Sequence, residues 1–226
     1  MIQNYSCSIS KETLSGQFPG RKLSSHYRVS YNVNPGQSGW LITGEDKGRV
    51  VPAHWGLPDA GDPKGEAVTL FMAEGSRIAT SSTFRMSLRQ RRCIVLADSY
   101  YIWRKRGDKN QVFRVYSRDF PCLLLGGIYE RRQIKGRDVI CFTIVQTEAG
   151  ADVKDIYHKM PLILDNDQAE QWIADQANIR DILEMIRPFK RYSLQYYQVT
   201  SQLMQRSFNQ SEAHSRKLEH LTLFDV

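Results

Sequence analysis

The chain has 226 residues, 41% of them hydrophobic and 24% charged, enough for one large domain that buries roughly 70% of its unfolded surface. No apolar run approaches the roughly 18 residues of a membrane span, and Met1-Ile2-Gln3-Asn4-Tyr5-Ser6 lacks the basic start and apolar core of a secretory signal. A single domain over residues 1–226, cytoplasmic and without a membrane partner, is therefore expected. Lys and Arg outnumber Asp and Glu by 31 to 24, and the excess is concentrated. Between Arg77 and Arg106 stand Arg77, Arg85, Arg89, Arg91, Arg92, Arg104, Lys105 and Arg106 against Asp98 alone, so this stretch carries as much net charge as the whole chain. Such a run suits phosphate contact, and equally a solvated basic face.

In chain order, Tyr5 to Ser10 alternates as a strand does, with Cys7 as a packed residue. Ser10 then starts a short helix, with Glu12 in its first turn. Asn34 to Gly39 is a turn. The apolar, β-branched or aromatic runs 49–57, 70–71, 93–103, 111–116, 122–129, 139–146 and 162–164 predict strands. The segment 59–66 is rich in turn formers and charge and predicts an exposed loop. Residues 83–91, 165–176 and 179–186 predict short helices, the second capped by Asp165 or Asn166 and the third stopped by Pro188. Many strands and few, irregularly placed helices argue for an α+β fold with a mostly antiparallel, barrel-like sheet. Four cysteines without a Cys-x-x-Cys pair and five dispersed histidines predict neither a disulfide scaffold nor a metal site. No cofactor is expected.

Four groups of residues carry a family resemblance. They are Tyr31-Asn32-Val33-Asn34-Pro35-Gly36, Trp55-Gly56-Leu57, Arg92 to Asp98 running on to Tyr101-Ile102-Trp103, and Met160-Pro161-Leu162-Ile163-Leu164. Their order and spacing resemble the SOS-response-associated peptidase (SRAP) domain. The resemblance implies the same α+β fold and a protein that senses and processes abasic sites in single-stranded DNA during the DNA-damage response.

The positions that carry the family's chemistry are replaced. The resemblance implies a cysteine directly after the initiator Met, whose thiol and α-amine capture an abasic aldehyde; this chain has Ile2. Counted back from Phe84-Arg85, Met72 stands where the family has Asn, Glu74 where it has Arg and Ser76 where it has Glu. Ile102 takes the place of an acid–base Glu. In Ile156-Tyr157-His158-Lys159-Met160-Pro161, Tyr157 takes the place of a His and Lys159 that of an Arg. Substitutes for the lost groups are Met1 through its α-amine, Cys7 through its thiol and His158, although in an extended chain His158 points away from the side Tyr157 faces. The expected partner is single-stranded or abasic DNA, contacted through Asn32, Arg77, Arg85, Arg89, Trp103, Arg104 and Lys159. Asn32 could equally support a turn, and Trp103 could equally fill a core. The enzymatic alternative is residual crosslinking or peptidase activity; the third reading is a protein-interaction module, favoured by Glu74.

Overall fold

The computed structural model describes residues 2–58, 69–187 and 193–217. Met1, the expected loop at 59–66 and Pro188 lie outside them. The strands are β1 (Ile2–Cys7), β2 (Lys22–Leu23), β3 (Ser30–Val33), β4 (Ser38–Thr43), β5 (Arg49–Trp55), β6 (Leu57–Pro58), β7 (Thr69–Leu70), β8 (Met72–Glu74), β9 (Arg92–Ala97), β10 (Ser99–Arg106), β11 (Lys109–Ser117), β12 (Leu123–Ile134), β13 (Arg137–Glu148), β14 (Lys159–Pro161), β15 (Ile163–Leu164) and β16 (Leu194–Val199). The α-helices are α1 (Lys11–Gln17), α2 (Arg85–Gln90), α3 (Asn166–Trp172) and α4 (Ile179–Met185).

Five strands close into a barrel. β5, β4, β9, β12 and β13 pair antiparallel in that order, and a parallel pairing of β13 with β5, through Cys141 opposite His54 and Phe142 opposite Trp55, completes the ring. Every residue of β9 is buried, and from Cys93 to Ala97 it reads as a continuous apolar run. A second, antiparallel sheet runs β16-β11-β10-β1-β3. The fold is thus α+β and mostly antiparallel, with a barrel core and short flanking helices. Local chemistry sets the helix starts: the Ser10 side chain accepts from the Thr13 N–H, and Asp165 and Gln168 form a reciprocal capping box at α3.

Two expected strands are each divided. The 49–57 run breaks at Gly56, whose φ of +140° is accessible to glycine at little cost. The 93–103 run is divided at Asp98, where the chain passes from the barrel (β9) into the second sheet (β10). The Asp98 carboxylate holds that crossing. It accepts from the Ser8 N–H (2.6 Å), the Ser6 hydroxyl (2.8 Å) and the Arg114 guanidinium (3.0 Å).

The second sheet has its own small core on the face turned away from the barrel. Tyr101, Val112, Val199, Leu203 and Ala213 are buried there, with Trp103, Tyr197 and Phe208 packed around them. The covering segment contains two 3₁₀ turns, Ser201–Met204 and Ser211–His214. Side-chain amides stitch it down. Asn209 Oδ1 accepts from the backbone N–H groups of Tyr31 and Asn32, and Asn32 Nδ2 donates to the carbonyls of Leu203 and Phe208.

Candidate functional site

The chain start lies on the second sheet beside β10, with Ile2 directly opposite Ile102. Ile2 is 6% exposed and Ile102 fully buried. Met72 on β8 sits beside Ile144 of β13, and Tyr157 directly follows the 151–156 turn; both are half-buried and pack against the same hydrophobic core that contains Ile2 and Ile102. Ile2, Met72, Ile102 and Tyr157 therefore all pack in or against one apolar core. Ile2, Met72 and Ile102 carry no group that can hold or move a proton, and Tyr157 offers a phenol in place of an imidazole.

The proposed substitutes are placed differently. Cys7 is fully buried, its Sγ 3.6 Å from the Tyr27 hydroxyl, and burial pushes its thiol up to about 12. It is a neutral thiol at pH 7, closed off from an incoming aldehyde. His158 is exposed, with its ring centroid 4.5 Å from that of Tyr157. Met1 lies outside the described residues.

Of the expected DNA contacts, three are engaged within the protein. Asn32 is buried; its Oδ1 accepts from Asn4 Nδ2, while its own amide donates to backbone carbonyls. This is an anchoring role, and it leaves no polar edge facing solvent. Trp103 is half-buried in the small core and donates to Asn4 Oδ1 at 2.9 Å. Lys159 donates to Glu74 Oε1 at 3.0 Å and to Glu148, and the bond to Glu148, with Glu74 adding to it, raises its pKa. Glu74 also accepts from Gln146 Nε2 at 3.1 Å. The two positions where the resemblance implies arginines thus pair with each other as carboxylate and ammonium.

The remaining cations reach the surface. Arg77 is exposed and borders, with Glu74, Thr80, Ser81, Ser82 and Phe84, an open pocket of about 370 Å³. Arg85 and Arg89 project from α2. Arg104 lies on the Ile102 side of β10, its guanidinium 5.7 Å from the Phe113 ring centroid and within 3.3 Å of the Asp155 carbonyl. The 77–106 stretch is not one face, however. Arg92 is buried and donates to the carbonyls of Leu88, Arg89, Trp172 and Ala174. It ties the end of α2 to the end of α3, where orphan helix carbonyls need donors.

One polar cluster was not legible as a unit in the sequence. Ser6, Asp98 and His214 meet, with His214 Nε2 3.1 Å from Ser6 Oγ and 3.6 Å from Asp98 Oδ2. Both partners face the same ring nitrogen and Ser6 is fully buried, so the group lacks the two-sided relay of a hydrolytic triad. It anchors the C-terminal segment instead. Burial, with the nearby Arg114 cation, depresses His214 to about 4, against the opposing pull of Asp98; Tyr31 packs edge-on against the ring and Tyr197 binds the His214 carbonyl. A folded value below the unfolded 6.5 favours the neutral ring. The associated stability is present above pH 6.5 and is lost as pH falls towards 4, by at most about 3 kcal/mol. Urea titrations of wild type and His214→Gln between pH 4 and 7 are expected to show a shallower loss in the variant.

The closed barrel and the sheet that carries the chain start against β10 define an α+β scaffold whose relatives are identifiable. The sequence model of the SOS response associated peptidase (SRAP) family matches residues 1–206, and the chain belongs to this family. It is 30% identical over 192 residues to the abasic site processing protein YoaM of Bacillus subtilis (strain 168), covering 82% of this chain and 84% of that one. It is also 30% identical over 209 residues to the abasic site processing protein HMCES of Gallus gallus, covering 76% and 62%. A crystal structure of a protein from Bacteroides thetaiotaomicron superposes with a TM-score of 0.78 at 23% identity, over 95% of this chain and 99% of that one, and shows the shared fold.

Proposed function

We propose that this chain is a DNA-damage protein that engages abasic-site or other single-stranded DNA through surface arginines, without forming the covalent DNA–protein bond. The relatives' names, abasic site processing proteins, support DNA as the partner. The observation that supports the loss of covalent chemistry is the buried pairing of Ile2 with Ile102, with Met72 and Tyr157 half-buried against the same core. Arg77, Arg85, Arg89 and Arg104 supply the phosphate contacts in this reading. Lys159, held by Glu74 and Glu148, contributes little, because a phosphate has to displace two carboxylates to reach it.

Binding of an oligonucleotide measured against salt tests the reading. Log affinity is expected to fall linearly with log salt, by about 0.7 per phosphate contacted on a single strand. Arg85→Ala combined with Arg104→Ala lowers both the affinity and that slope. Equal binding by wild type and the double variant would count against these arginines as the contact surface.

A further inference from the structure

We infer that residues 200–217 build a second phosphate site, one that takes a phosphodiester of a nucleic-acid strand. Most of this segment lies beyond the family match, which ends at residue 206. An open pocket of about 280 Å³ sits between the two 3₁₀ turns, lined by Thr200, Ser201, Glu212, Ser215, Arg216 and Lys217. Two cations and three hydroxyls oppose one carboxylate there. A guanidinium and hydroxyls converging on one space match the acceptor-only, tetrahedral phosphate group.

The Arg216 position is built from below. Its guanidinium lies 5.7 Å from the Tyr197 ring centroid. The Tyr197 hydroxyl accepts from Arg114 Nη1 at 2.9 Å and donates to the His214 carbonyl at 2.7 Å, while its ring packs edge-on against Tyr116 at 5.6 Å. Arg114 is itself paired with Asp98 at 3.0 Å. This chain of interactions fixes the ring on which Arg216 rests. Lys217 is held through its backbone, whose N–H donates to the Gln198 carbonyl at 2.8 Å and so extends the outer edge of β16.

A strand, rather than a free phosphate, is favoured by what lies at the same end of the sheet. Trp103, Val112 and Val199 are register partners across β10, β11 and β16. Beyond Trp103 and Val199 stand Lys105, on the same face of β10 as Trp103, on one side and the pocket on the other. The two lie roughly 10 Å apart, two strand spacings, a gap that a few nucleotides cross. The inference rests on the nucleic-acid reading above, and adds a binding site whose cations, Arg216 and Lys217, lie beyond the family match.

The test uses the full chain and a labelled oligothymidylate of ~20 nucleotides. Arg216→Ala with Lys217→Ala is expected to weaken binding about three- to tenfold at low salt and to reduce the salt slope by about 0.7 for each phosphate no longer neutralised. Because Arg216→Ala also removes packing on Tyr197, two further variants separate charge from structure. Lys217→Ala alone should reduce the slope by one such increment, and Arg216→Lys with Lys217→Arg should retain most of the affinity. Unchanged affinity and slope in the double Ala variant overturn the pocket while leaving the proposed function standing; absence of binding by wild type overturns both. If inorganic phosphate shifts the backbone amide resonances of Ser201 and Ser215 while the oligothymidylate leaves them unmoved, the pocket takes small anions and the strand assignment is wrong.

Discussion

Ile102→Glu should destabilise the fold by about 3 kcal/mol or more, whereas Ile102→Val should cost about 1 kcal/mol. Ile102 is fully buried, faces Ile2 across the β1–β10 pair and belongs to the main hydrophobic core. A carboxylate placed there is desolvated, so its pKa in the folded state rises above the unfolded value near 4.3. For an acid shifted upward, the charge penalty is absent below about pH 4, grows as pH rises above the unfolded pKa and levels off above the folded one. Urea unfolding of the variant at pH 5 and pH 8 is therefore expected to show the larger loss at pH 8. A loss below about 1 kcal/mol at both values would mean that position 102 opens to solvent, as a working acid–base site does. The same burial bears on reactivation: Ile2→Cys restores a thiol, but adding Ile102→Glu sets the gain of a proton-transfer group against a substantial loss of stability.

Arg92→Ala is expected to cost about 3 to 5 kcal/mol, among the largest effects of any single arginine replacement in this chain. The guanidinium donates to four carbonyls at or just beyond the ends of α2 and α3, and its removal leaves the Leu88 and Trp172 acceptors buried and without it. Arg92→Lys should recover only part of the loss, because one ammonium cannot reproduce the planar fork that spans two helix ends. Arg89→Ala, three residues earlier and exposed, should fall within about 0.5 kcal/mol of wild type. Denaturant midpoints of the three variants check the ordering. An Arg92→Ala midpoint equal to that of Arg89→Ala would show that Arg92 belongs to the charged surface after all.

Arg92 also shows why charge counting misjudges the 77–106 stretch. A sum over residues cannot distinguish a guanidinium in solvent from one that caps two helices from inside. The α+β class was legible because many β-branched and aromatic runs and few helical periods are local signals. The division of 93–103 between two sheets was not, since it depends on Asp98 meeting Ser6, Ser8 and Arg114, partners up to 92 positions apart in sequence. β4 and β16 were not expected, for different reasons. Trp40-Leu41-Ile42-Thr43 is a short β signal hard against the turn formers that precede it, while Leu194 to Val199 mixes glutamine and tyrosine and acquires its order from β11. At the site, the replaced positions could be read from motif spacing. Their packing against one core could not, nor could the pairing of Glu74 with Lys159, 85 positions apart. Asn32 and Trp103 looked like ligand-binding groups because a polar amide and an indole beside cations suit DNA, yet the C-terminal segment meets both from far along the chain.

The proposed absence of covalent chemistry is tested most directly by incubating the full chain with an oligonucleotide containing one abasic site, then heating and resolving the mixture by denaturing electrophoresis. An α-amine with a pKa of about 7.7 to 8.0 can form an imine with the abasic aldehyde, but without a thiol on the same residue that imine cannot close to a stable ring and hydrolyses. Wild type is expected to leave the DNA unshifted, with at most a faint band when borohydride is present, and Ile2→Cys to give a slow, incomplete shift. A heat-stable adduct formed by wild type without reductant would contradict the reading, and peptide mapping of that adduct would identify the residue that carries the chemistry.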